Sequence, residues 1–155
     1  MPNSGPSTLT PTRPAGHGAT HLLVRQIMTG HVVTIRSDAP VSAAARLMRE
    51  HNIRHLVVLD ATMHLAGILS NRDVLQQLSG YLARGMEIPG TCTVSDFMVK
   101  NPATVLADTP LTDAASLMAS RKIGCLPVLT NDHRLAGIVS VVDILRYIAG
   151  EKSAG

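Results

Sequence analysis

Two serines and two aspartates repeat one short arrangement: Ser70 and Asp73 in LSNRDVL, Ser140 and Asp143 in VSVVDIL. Each pair stands where an apolar run, LAGIL or LAGIV, gives way to a helical pattern. At a helix start, exposed N–H groups and a serine hydroxyl can hold phosphate oxygens. An aspartate carboxylate can accept hydrogen bonds from a ribose diol. The same spacing has a plainer use, because a serine N-cap with an acid three residues later is close to a capping box. A carboxylate has lone pairs enough for both roles, so both stay open.

Around the first pair stand Arg54, His55 and Arg72, where the second has Gly124, Cys125 and Val142. Arginine can grip phosphate through two parallel bonds, and histidine adds a donor whose charge changes near neutral pH. The second pair has Lys100, Arg121 and Lys122 in its linear neighbourhood. Charged ligands are therefore expected at the first pair. His51 and His55 are four apart, but the helical pattern ends near Asn52, so they are not expected to form a metal pair. Neither a Walker-type phosphate loop nor a spaced catalytic triad is visible.

The elements that must position these residues come from an internal duplication. Laid on itself with a shift of 70 and no gap, the chain has 20 identities in the 52 pairs between residues 24–75 and 94–145. Such ungapped self-similarity marks a structural repeat. Each copy predicts a strand (VVTI, ATVL), then a helix with Pro40 or Pro110 in its first turn. Val41, Ala44, Ala45 and Met48 share one face of that helix, as do Leu111, Ala114, Ala115 and Met118. Two more strands follow, HLVVL or CLPVL and then LAGIL or LAGIV, and a second helix closes the copy. Neither copy is large enough to build a good core by itself, so the two are expected to pack face to face. Met28, Met48, Met98 and Met118 recur with the repeat and read as core or dimer-contact residues.

Composition narrows the function classes. Apolar residues make up 45% of the 155, with one Phe, two Tyr and no Trp, so stacking platforms for nucleic-acid bases are absent. The net charge of +3 is too small to announce nucleic-acid binding. Cys92 and Cys125 fit neither a metal pattern nor a disulfide framework. Residues 1–21, rich in Pro, Gly, Ser and Thr, read as a flexible tail without the apolar stretch of a signal peptide. With no apolar run of membrane-spanning length, the expected location is the cytoplasm.

The pattern resembles a pair of cystathionine β-synthase (CBS) domains. The resemblance is carried by VRQIMTGHVVTIRSDAPVSAAARLMREHNIRHLVVLD, by LAGILSNRDVL and by their second-copy counterparts, over roughly residues 22–150. It implies an α/β (α+β) fold of two β-α-β-β-α repeats, 22–84 and 94–150, packed pseudo-symmetrically. Residues 85–93 would link them and 151–155 would form a tail. It also implies an adenosine ligand in the cleft between repeats: AMP, ADP, ATP or NAD, and less so S-adenosylmethionine. Asp73 and Asp143 would take the ribose hydroxyls, with Ser70 and Ser140 near phosphates. Thr34 and Thr104 would flank the base, with Arg54, His55 and Leu56 at one strand start and Gly124, Cys125 and Pro127 at the other.

The expected function is a non-catalytic nucleotide sensor that signals to a protein partner and forms a homodimer, with the exposed parts of Ala43–Met48 and Ala114–Met118 in contact. No cofactor is required, and no nucleic-acid or membrane partner is expected. The alternative is a dimerisation platform in which the repeated phrase is a helix cap and nothing more.

Overall fold

A computed structural model describes residues 22–87 and 89–151; the expected N-terminal tail and nearly all of the C-terminal one lie outside them. The first repeat runs β1 (Thr34–Arg36), α1 (Val41–Glu50), β2 (His55–Leu59), β3 (Leu65–Ser70) and α2 (Asn71–Ala83). The second begins with a short helix α3 (Val94–Phe97) and strand β4 (Val99–Lys100), then runs β5 (Val105–Leu106), α4 (Leu111–Arg121), β6 (Cys125–Leu129), β7 (Leu135–Ser140) and α5 (Val141–Ile148). The β-α-β-β-α order holds in both.

β1 lies parallel to β2, and β2 antiparallel to β3. β5, β6 and β7 repeat that topology, down to a register shift at Val58/Leu59 and again at Val128/Leu129. The expected first strands start late, because the sheet register begins only at Thr34↔Val57 and Val105↔Val128. Pro40 and Pro110 are the N-caps of α1 and α4, not first-turn residues; their ψ values of 139° and 136° are extended. Of the expected helix face, Ala44 and Met48 are buried and Ala45 is exposed, so the buried stripe turns toward Leu47 instead.

The two repeats exchange their leading segments. Val24 and Ile27, from the leader of the first repeat, belong to the core of the second, with Leu111, Ala114, Met118, Leu126 and Val139. Val94 and Phe97, from the leader of the second, complete the core of the first, with Ala44, Met48, Leu56 and Leu69. Backbone bonds fix the exchange: Val24 N–H donates to the Thr109 carbonyl at 2.9 Å, and Val94 N–H to that of Ala39 at 2.9 Å. Arg25 also pairs with Asp108. Thr29 bridges Ile138 just as β4 sets Val99 beside Ile68, so each leader adds an edge to the other repeat's sheet. A core too small within one repeat is thus finished by the other.

The exchange accounts for the glycine in LAGI. A Cβ on Gly67 would lie 2.7 Å from both Met98 Sδ and the Val99 carbonyl oxygen. On Gly137 it would lie 2.8 Å from the Thr29 carbonyl oxygen and 2.9 Å from Met28 Sδ. Only a residue without a side chain lets the leader approach that closely. Met28 and Met98 therefore seat the leaders, while Met48 and Met118 are core residues at 4% and 2% exposure.

Candidate functional site

The antiparallel register sets His55 directly opposite Ser70, and Cys125 opposite Ser140. The residue before each strand receives the first helical amide: Asn71 N–H donates to the Arg54 carbonyl, and Val141 N–H to that of Gly124, both at 2.9 Å. Arg54, His55, Ser70 and Asp73 are thereby gathered from two separate stretches at one strand end.

Both serine–aspartate pairs form the full capping box. Asp73 N–H donates to Ser70 Oγ at 3.0 Å, while Ser70 N–H and Oγ–H donate to Asp73 Oδ2 at 3.0 and 2.5 Å. At Ser140 and Asp143 the matching distances are 3.2, 2.8 and 2.6 Å. The box engages one carboxylate oxygen, Oδ2, and leaves Oδ1 outside it. The serine proton, by contrast, is already given to the aspartate. The cap and a diol acceptor can therefore coexist on one side chain, whereas a phosphate would meet cations before it met a free serine O–H.

Between the repeats lies a cleft of about 430 Å³. The first repeat lines it with Arg54, His55, Ser70, Arg72, Asp73 and Gln76, over Ile68. The second supplies Val99, Pro102, Ala103, Lys122, Ile123, Gly124 and Cys125. Seven of the expected residues meet here: Arg54, His55, Ser70, Arg72, Asp73, Gly124 and Cys125. Leu56 and Pro127 do not, since both side chains are fully buried; Leu56 turns into the first core, while Pro127 lies on the same strand face as Cys125. Thr34 is half-buried in β1 outside the lining, and Thr104 follows the lining residues Pro102 and Ala103. Sequence reasoning placed Lys122 with the second pair, and the facing of the repeats brings it to the first.

At the second helix start, Asp143 lines a smaller hollow of about 260 Å³ with Gln26, Ile27, Arg146, Tyr147, Gly150 and Glu151. Ser140 does not line it. The cation there, Arg146, faces Glu151 at 3.9 Å.

His55 and Cys125, repeat equivalents, both line the cleft. The His55 ring would stand 3.3 Å from a Cβ on Gly124. Burial pushes the His55 pKa below its ordinary value; the Asp73 charge opposes this and Arg54 reinforces it. Burial, with the charges of Asp73 and Asp143, pushes the Cys125 thiol up to about 12. It is a packed thiol, 6% exposed, whose burial disfavours the thiolate. Cys92 and Cys125 are both free. Among the described residues no group of three or more His, Cys, Asp or Glu could hold a metal ion, and no helix is long and apolar enough to cross a membrane.

Comparison with known proteins converges on one family. The CBS domain model matches residues 24–80 and again 94–150. An uncharacterized 17.7 kDa protein of Acidianus ambivalens is 33% identical over 125 residues, covering 81% of this chain and 72% of that protein. The CBS domain pair of protein MJ0100, solved with 5′-methylthioadenosine and S-adenosyl-L-methionine, superposes with a TM-score of 0.73 at 29% identity, covering 84% of this chain and 98% of that one. CBSX2, solved with AMP, gives 0.68 at 27% identity, over 83% and 96%. The chain spans only about a quarter of the enzymes it matches, such as homoserine O-acetyltransferase of Methanohalobium evestigatum, at 24%.

Proposed function

The chain belongs to the CBS domain family, and from that premise we propose that it is a regulatory module binding an adenosine nucleotide in the cleft between its repeats. One observation carries the reading: the Ser70–Asp73 helix start opens onto a cleft with apolar walls from both repeats and a cationic rim. Its volume falls within the roughly 300–1,000 Å³ of small-molecule sites. Ile68, Val99 and Ile123 offer flat apolar contact for a base, Asp73 Oδ1 an acceptor for the ribose diol, and Arg54 and Arg72 partners for phosphate. Relatives of the same fold were solved with adenosine compounds, which supports the ligand class: AMP, ADP, ATP or NAD.

We read the module as non-catalytic. Its one cleft thiol is held protonated, and the matching enzymes carry the pair as a minor part of their length. Because the cleft draws walls from both repeats, a ligand favours the arrangement in which they fit it, and a protein partner would read that shift. The test is thermal unfolding with each nucleotide, beside native mass spectrometry. A ligand at 100 times its Kd should stabilise by about 2.7 kcal/mol. If AMP, ADP, ATP, NAD and S-adenosylmethionine all leave the melting temperature unchanged at millimolar concentration, the capping-only platform replaces this reading.

The apolar surface supports a homodimer, through other helices than the sequence suggested. Ala44, Met48, Ala114 and Met118 are buried, which leaves α1 and α4 an exposed Ala45 and half-buried Ala43, Leu47, Ala115 and Leu117. Leu75 and Leu82 on α2 are instead exposed at 55% and 72%, and Leu145 and Ile148 on α5 at 58% and 74%. Leu75 and Leu145 are repeat equivalents. Light scattering should find a dimer that Leu145→Arg with Ile148→Arg turns into a monomer; a monomeric parent ends the idea.

A further inference from the structure

Lys122 is the C-cap of α4 and sits at φ +54°, in the left-handed region. Its repeat equivalent is Asn52, at φ +51°. Asparagine is one of the few residues that visit this region readily, and lysine is not. Backbone preference explains Asn52 and leaves Lys122 unexplained. Its place in the fold explains it: Lys122 lines the cleft whose other cations, Arg54 and Arg72, belong to the opposite repeat.

All three are exposed, and among the described residues none of them forms an ion pair. They share the cleft with a single carboxylate, Asp73, one of whose oxygens is engaged by the capping box. The cleft is therefore net positive and its cations are unspent. At the equivalent positions of the other repeat stand Gly124, Val142 and Asn52, all uncharged. Cation clusters that their own protein leaves unpaired draw anions, and do so more strongly as the anion gains charge.

We infer that Lys122, contributed by the second repeat, completes with Arg54 and Arg72 an anion grip that makes the first cleft selective for adenosine polyphosphates over AMP and against S-adenosylmethionine. The inference rests on the nucleotide reading above. Each added phosphate brings further negative charge to the three cations, whereas the sulfonium of S-adenosylmethionine brings a positive charge to them. Because the cations come from both repeats, a polyphosphate tail ties the repeats together through charge as well as through the apolar walls that adenosine meets.

Calorimetric titration of the full chain, without divalent cations, tests this with adenosine, AMP, ADP, ATP and S-adenosylmethionine. Affinity should climb in the order adenosine, AMP, ADP, ATP, with S-adenosylmethionine below AMP. Lys122→Asn restores the residue its backbone favours and should melt no lower than the parent. It should weaken ATP about tenfold and adenosine less than about twofold, as expected for loss of one charge-assisted contact. Lys122→Arg should keep ATP binding, and raised salt should shrink the difference between parent and Lys122→Asn. Unchanged ATP binding in Lys122→Asn, or equal losses along the series, overturns the grip. Adenosine binding to which phosphates add nothing, or S-adenosylmethionine binding as tightly as ATP, also overturns it while leaving the nucleotide reading intact. Failure of the whole series to bind the parent removes both.

Discussion

The two helix starts at Ser70 and Ser140 share nearly everything that folding requires. The capping boxes match bond for bond, each start hangs on the carbonyl of the residue before β2 or β6, and the sheet register beneath is the same. They part company in their charges. One opens on a cleft of about 430 Å³ with three unpaired cations; the other borders a hollow of about 260 Å³ whose arginine already faces Glu151. Features common to both copies serve the fold, and the features in which they differ are those on which the proposed ligand choice depends. A repeat supplies its own control.

The largest expected effect tests the common part. Gly67→Ala forces a methyl into the Val99 carbonyl and Met98, and Gly137→Ala into Thr29 and Met28. Each should cost about 1–3 kcal/mol, the usual range for overpacking. Thermal unfolding should show similar losses for the two. A near-parental melting temperature for one of them would show that its leader is not seated as described.

The next effect tests the difference. Arg54→Ala should weaken ATP and ADP by about 1 kcal/mol, below the full range for charged hydrogen bonds because the side chain is exposed, and leave adenosine unchanged. Equal losses for all three would show that Arg54 does not touch phosphate.

A smaller effect separates His55 from Cys125. With its folded pKa lowered by burial, His55 resists the proton that the unfolded chain accepts below about pH 6.5. Its contribution is complete above that pH and is lost as pH falls toward the folded pKa. Apo stability followed from neutral pH downward should decline through this window, and less so in His55→Gln. Parallel curves for the two proteins would contradict the assignment. Cys125, its thiol raised to about 12, contributes no such change there.

The duplication made the order of elements legible, because proline, glycine and β-branched runs recur at fixed offsets and each has local conformational meaning. The exchange of leaders was not. Val24 and Val94 are the same residue before nearly the same repeat, so nothing local says which core each will enter. The first cleft was half legible for the same reason. Arg54, His55, Ser70 and Asp73 come together through one hairpin, whereas Lys122 and Ile123 arrive only because the repeats face each other. Leu56 and Pro127 stay out of the cleft lining because both side chains are fully buried, Leu56 on the core face of its strand. The apolar faces on α2 and α5 went unremarked because the repeat pattern does not say which helix faces are covered; none of the residues of VVDILRYI is buried.

Asp73→Asn measures the central claim most directly, that one side chain serves the fold through Oδ2 and a ligand through Oδ1. The amide keeps a short polar group at the helix start, so apo stability should drop by only about 0.3–1 kcal/mol, the range of a charge–dipole interaction. Nucleotide affinity should fall clearly further, because a neutral amide is a weaker acceptor for a hydroxyl pair. Chemical unfolding of the apo protein and nucleotide titration of the same preparation supply both numbers. A mutant that loses apo stability yet titrates nucleotide like the parent would contradict the account and leave Ser70 and Asp73 as a helix cap alone.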